Sequence, residues 1–299
     1  MPNWNQVLDE IQACENRNPL DFTRRKYIRL LSQKTGRNVI CYYSGWLQRP
    51  GLQNTAVNDD DKNALMAMVH GLDRSIGLDL ILHTPGGDLA ATESIVDYLH
   101  RMFVDDIRAI IPQLAMSAGT MMAFACKSIM MGKQSSLGPI DPQFGGIPAY
   151  GVIKEFEQAI LEIKKDPASI PIWCEIVRKY HPTFIGECQN AIDWSQVMVN
   201  EWLRKVMLKD EKGSAAKAKK IVAYFNNHEE TKSHARHINI DEAKSTGLKV
   251  EDLESDQDVQ DLVLTIHHAF MHTFSHSEAF KIIENQMDNA VILSAGPTR

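Results

Sequence analysis

Two short segments carry the residues whose types and spacing could do chemistry. One is Thr84-Pro85-Gly86-Gly87-Asp88; the other, further along the chain, is Ala115-Met116-Ser117-Ala118-Gly119-Thr120. A Gly-Gly pair has no Cβ to block an approaching chain and leaves backbone N–H groups bare. A serine at a helix start, boxed in by Ala, Met and Gly, aims its hydroxyl into a small space with the positive helix end behind it. If the two segments lie side by side, the Gly87 and Ala118 amides could face one carbonyl oxygen with Ser117 alongside. That would be a nucleophile next to an oxyanion hole. A packing turn with a helix-capping serine fits the same spacing, and both readings stay open on these residues alone.

The elements that must position these residues are legible around them. Residues 78–82 form a strand-length apolar run that stops at Thr84-Pro85-Gly86-Gly87-Asp88. Leu89, Ile95, Tyr98 and Leu99 then follow a helical period, with Asp88 as the cap. Residues 107–111 form a second such run, stopped by Pro112, and another short helix pattern begins after Ser117. Strand, helix, strand, helix predicts parallel βαβ units. Upstream, residues 3–15 and 21–33 read as amphipathic helices. The second has a basic face of Arg24, Arg25, Lys26 and Arg29, expected to meet solvent or an acidic neighbouring subunit. Residues 39–43 read as the first core strand, and residues 58–72 as a helix with acidic residues in its first turn. In the loop between them, Trp46 and Leu47 either line a cleft or pack. Residues 128–131 and 135–140 read as further short strands. From Ile160 onward the periodicity is almost wholly helical, apart from a strand-like 249–250 after a Gly247 helix cap. The end, 285–299, reads as loose, with 290–293 able to add a strand to a neighbour.

Taken together, HTPGGD, AMSAGT and the later SSLGPID resemble the Clp/crotonase superfamily of serine peptidases. The nearest likeness is to signal peptide peptidase A and its relatives, the serine dehydrogenase proteinase (SDH) family. The stretches HPTFIGECQNAIDW, TKSHARHI and VLTIHHAFMHT resemble that last group in particular. The resemblance implies an α/β fold with a ClpP/crotonase-like core of repeated ββα units over residues 36–166. N-terminal helices over 1–35 and a mainly helical extension over 167–299 would complete the domain and its oligomer contacts. It implies Ser117 as nucleophile, the Gly87 and Ala118 amides as oxyanion hole, and Gly86 and Met116 against the substrate. The substrate would be a peptide or unfolded protein lying extended beside the TPGG strand, and the protein a homo-oligomer.

A serine hydroxyl needs a proton acceptor to attack at neutral pH. Clp peptidases supply a histidine after the strand that follows the nucleophile helix; the matching place here reads Ile140-Asp141-Pro142-Gln143. The signal peptide peptidase branch uses a lysine further along, which must have its pKa lowered by burial or a positive dipole. Lys154, Lys164 and Lys165 are the candidates on a helix striped by Ile153, Phe156, Ile160 and Ile163. Lys154, early in that helix and near the GPID turn, is favoured. Lys164 and Lys165 fall at its end, where positive charge complements the dipole. An ion pair with Glu155 or Glu157 is the plainer reading of Lys154.

Composition sets the outer bounds. At net charge −6 without a basic block, nucleic acid is not an expected partner. The polar, acidic start does not read as a signal peptide, and no apolar run is long enough to span a membrane. Cys14, Cys41, Cys126, Cys174 and Cys188 contain no CxxC pair and suggest reduced thiols in the cytoplasm, with Cys41 and Cys126 in the core. His83 ends a buried strand and reads as structural. His228, His234 and His237, around Thr231, Lys232 and Arg236, belong to a polar turn or bind a substrate carboxylate. His267, His268, His272 and His276 share one helix without a nearby carboxylate ligand, so packing is preferred over metal; no cofactor or metal is expected. Two other functions remain open: a crotonase-type acyl-CoA enzyme, which uses paired amides but not the serine, and a non-catalytic peptide-binding scaffold.

Overall fold

The structure is a computed structural model that describes residues 3–52, 54–226 and 235–296. Strands β1 (Asn38–Ser44), β2 (Leu78–His83) and β3 (Ile107–Ile111) lie side by side and parallel. β4 (Leu114–Ala115) then leaves this sheet, and β5 (Ser128–Met131) returns to pair with β3. β6 (Ser136–Leu137) pairs with β4 in a small second sheet, and β7 (Gln143–Phe144) forms a hairpin with β8 (Ile147–Pro148). β9 (Val250–Asp252) joins β5, while β10 (Ala279–Asn285) and β11 (Ala290–Ser294) close the opposite edge antiparallel. The main sheet therefore runs β11-β10-β1-β2-β3-β5-β9.

Eleven helices of the described residues surround it. Helices α1 (Trp4–Ala13) and α2 (Pro19–Thr35) precede β1, and α3 (Asp60–Val69), α4 (Leu89–Phe103) and α5 (Ala118–Phe124) follow β1, β2 and β4. An arm of α6 (Ala149–Lys165), α7 (Ile170–Val177) and α8 (Phe184–Trp202) comes next. It leads to α9 (Ser214–Asn226), α10 (Ile240–Thr246) and α11 (Gln257–His276). Alternate residues of each central strand serve opposite layers, as a parallel sheet covered on both faces requires. Ile40, Leu80, Leu82, Ala109 and Ile111 pack with α3, α4 and α5, whereas Val39, Cys41, Ile81 and Ile110 pack with α2 and α11. Successive crossovers that step one way across the sheet keep their helices on one face.

Several expectations meet these elements closely. Residues 128–131 are a strand with the expected bounds, and Gly247 closes α10 in a left-handed conformation at φ 103. Two do not. Residues 135–140 contribute only the two-residue β6, because Leu137 is shared between Ala115 and Ile238 and the Gly138 N–H turns to the Thr120 hydroxyl. The reading of 167–299 as mainly helical misses β10 entirely, and 290–294 pair within the chain's own sheet. β10 also explains the basic face of α2. Arg24 is fully buried and bonds Glu284 at 2.9 Å and Asp21 at 2.7 Å. Arg25 reaches the same Glu284, and Arg29 pairs with Asp288. Arg24 is thus withdrawn from solvent by its own chain, while Lys26, paired with Glu10, and Arg29 stay part-exposed.

Candidate active site

The end of β2 brings the two segments together. The Thr84 N–H donates to the Leu114 carbonyl at 3.1 Å, and the Met116 N–H donates to the Thr84 carbonyl at 3.0 Å. This bridge lays the diglycine turn along the start of α5. Gly86 has φ +94, and a Cβ there would lie 2.7 Å from both the Ser117 Cβ and the Met116 carbonyl oxygen. A Cβ on Gly87 would overlap the Val57 backbone. Only glycine permits both approaches.

The amides at this junction have clear directions. Val57 bridges Gly87: the Val57 N–H donates to the Gly86 carbonyl at 2.8 Å, and the Asp88 N–H to the Val57 carbonyl at 2.9 Å. In a parallel bridge those bonds turn the N–H of the intervening Gly87 away from Val57. Ala118 is the first residue of α5, where a helix leaves its N–H unpaired. Gly119 does not share that freedom, since its N–H is held by the Met116 carbonyl at 2.8 Å.

Ser117 stands at the cap position of α5 with φ 50 and ψ −114, and its side chain does not cap the helix. A capping serine adopts the extended region and bonds the first turn. The helix-capping reading therefore does not describe this residue. A non-glycine residue in such a conformation costs about 1–3 kcal/mol and persists only where its surroundings impose it. Ser117 is half-buried at the floor of a cleft of about 700 Å³. Pro85–Ala90 form one wall; Phe144, Gly145, Gly146 and Trp194 form the other. Sequence reasoning missed Ala56, Phe144 and Trp194 on this cleft. The Gly-rich turn at 145–146 was the available signal for the second wall.

Other expected residues fall elsewhere. Met116 holds Gly119 through its carbonyl, but its side chain lies over Gly138 and is not part of the cleft wall. Lys154 opens onto a separate cleft between α6, α8 and α9, with Glu157, Asp193 and Arg204. Lys164 and Lys165 end α6 and line neither cleft. Among the described residues that line the Ser117 cleft, Asp88 is the titratable side chain, and its Oδ1 accepts from the Ala91 N–H at 2.7 Å as the α4 cap. Trp46 packs, part-buried, on His83 at 4.5 Å between ring centres and does not line the Ser117 cleft. His83 itself is buried against Tyr43, Trp46 and His267, on the sheet face opposite Leu80 and Leu82. His272 packs on Trp4 at 3.9 Å and bonds its carbonyl. Arg236 is paired with Glu242, and His237 is exposed. His228, Thr231, Lys232 and His234 lie outside the described residues.

Comparison with known proteins gives the family to which this fold belongs. The sequence model described as "ClpP-like SDH-type serine proteinase" matches residues 12–275, so the chain belongs to this family. It is 30% identical over 237 residues to the uncharacterized protein MJ0137 of Methanocaldococcus jannaschii, covering 78% of this chain and 74% of that protein. A second uncharacterized protein of the same organism, MJ1495, is 34% identical over 97 residues, or 32% of this chain and 33% of its own length.

Proposed function

We propose that the chain hydrolyses peptide bonds with Ser117 as nucleophile. The observation that carries this reading is the strained, non-capping Ser117 at the start of α5, next to the diglycine turn that Val57 bridges. The Ser117 Oγ attacks the scissile carbonyl carbon as its proton leaves. The carbonyl oxygen takes the negative charge and accepts from the Gly87 and Ala118 N–H groups. The tetrahedral species collapses to an acyl-serine, with the leaving nitrogen taking up a proton. Water then releases the acid and restores the hydroxyl. Gly86 leaves room for the substrate, which lies extended between the 85–90 wall and the β7–β8 hairpin. An acyl-CoA enzyme would use the two amides without needing the serine strained into place. A fluorophosphonate probe tests the reading: covalent mass on Ser117 supports it, and a wild-type chain left unlabelled sinks it.

For the proton acceptor the sequence pattern favours Lys154; it opens onto the neighbouring cleft, so this assignment requires a movement of α6 that brings its amine to Ser117. Lys154→Ala is expected to slow peptide turnover at least about 10²-fold while leaving the fold intact. Full turnover in that variant would remove Lys154 from the mechanism.

The same reading includes self-association in a reducing, cytoplasmic setting. Five free cysteines fit the compartment. Ile160, Leu161, Ile172 and Val197 on the α6–α8 arm are each more than half exposed and fit a face between copies. Light scattering at working concentration is expected to give a mass well above the 33.7 kDa of one chain. A monomer would contradict the assembly.

A further inference from the structure

Lys281 lies on β10 and is completely buried, yet every proton of its ammonium group has an acceptor nearby. It donates to Asp61 Oδ1 at 2.9 Å, to Asp61 Oδ2 at 3.0 Å and to the Ala56 carbonyl at 2.7 Å. Asp61, also buried, accepts in addition from the Tyr42 hydroxyl at 2.7 Å and the Asn58 N–H at 2.9 Å. The carboxylate and the ammonium therefore grip the 56–58 segment from both ends. Between those ends lies Val57, the residue that bridges Gly87.

The diglycine turn that Val57 bridges is also tied internally. Within that turn the Thr84 hydroxyl oxygen accepts from the Gly86 N–H at 3.1 Å.

We propose that Lys281, through Asp61, is a positioning residue for the oxyanion site: it clamps Ala56–Asn58 so that Val57 fixes the direction of the Gly87 N–H beside Ser117. This rests on the peptidase reading above. Lys281 touches no substrate. Without its ammonium, Asp61 becomes a buried charge lacking its counter-ion, and the 56–58 segment loses the bond at Ala56. The Gly87 amide then samples directions away from the developing oxyanion, and a misplacement of about 1 Å costs roughly 10²-fold in rate.

The test uses Lys281→Met, which leaves Asp61 alone, and the paired Lys281→Met/Asp61→Asn variant, which leaves no orphaned charge. Both are first checked for cooperative melting, and the pair serves if the single variant does not fold. On the folded protein, kcat for an extended peptide is expected to fall roughly 10²-fold with KM within about twofold. Affinity for a peptide aldehyde, which forms an oxyanion on Ser117, is expected to fall in parallel. Hydrogen exchange over residues 54–58 and 84–90 is expected to speed up. Unchanged exchange there overturns the clamp. Faster exchange with wild-type kcat and aldehyde affinity overturns its catalytic consequence, as does a rise in KM alone. A wild-type chain that neither labels nor turns over defeats the peptidase reading instead, and the exchange result still decides whether Lys281 holds the turn.

Discussion

Ser117→Ala is expected to remove peptide turnover by at least about 10³-fold while raising no difficulty for folding. The methyl group keeps the Cβ that already packs beside Gly86, so the cleft and its two amides survive. KM, where residual activity allows it to be measured, should stay near the wild-type value, since the extended substrate is held by the walls rather than by the hydroxyl. A second substitution separates chemistry from strain. Ser117→Gly should be equally inactive but more stable than Ser117→Ala by about 1 kcal/mol, because glycine adopts positive φ without steric cost. Thermal melts of the two variants compare this directly. Equal stability would mean that φ 50 is not a strained state held in place for function. Retained turnover in either variant would transfer the nucleophile elsewhere.

What could be read from the sequence follows physical lines. β2 and β3 were legible because each apolar run ends in residues that cannot continue a strand: Thr84-Pro85-Gly86-Gly87 after one, Pro112 after the other. Neighbouring parallel strands end at the same edge of a sheet, so the meeting of Gly86 and Ser117 was legible too. β10 was not. Its Lys281, Glu284 and Asn285 look like surface residues, and nothing nearby in the sequence neutralises them. Their partners lie far away in the chain: Glu284 and Arg24 are 260 residues apart, and Lys281 and Asp61 are 220 apart. Buried charge of this kind is stable only as a pair, and a reading that takes one segment at a time sees half of it. The direction of Lys154 was hidden for a different reason. Its place near the start of α6 could be read from the period, but the direction of that helix depends on packing against α8 through Val152, Cys188 and Ile192.

His83 and His267 are expected to make the fold acid-labile over a window that a single substitution narrows. Both are buried, their rings are 5.0 Å apart, and neither His83 nitrogen nor His267 Nδ1 has a hydrogen-bond partner. Burial lowers the His267 pKa to about 3, with help from neighbouring His268. Burial pushes His83 well below the ordinary value in the same way, with His267 adding to it. The rings that face them, Tyr43 and Trp46, carry no charge to offset a proton. Above pH 6.5, the ordinary histidine value, neither state holds the extra proton and these residues leave stability unchanged. Below it the unfolded chain takes up protons that the folded chain refuses, so stability falls as pH falls. The loss from His267 levels off near its folded pKa of about 3. For His267 alone the loss between pH 7 and about pH 4.5 is roughly 2–3 kcal/mol, by linkage at about 1.4 kcal/mol per pH unit. Urea melts at the two pH values measure it. His267→Leu can cost stability at pH 7, since it reshapes the packing on Tyr43. Its loss on acidification should nevertheless be smaller than wild type by that amount. The comparison is a difference of differences, so acid effects common to the two proteins cancel. Equal slopes in the two proteins would mean that a proton on His267 finds an acceptor in the folded state. The core between β1, β2 and α11 would then be wet rather than dry.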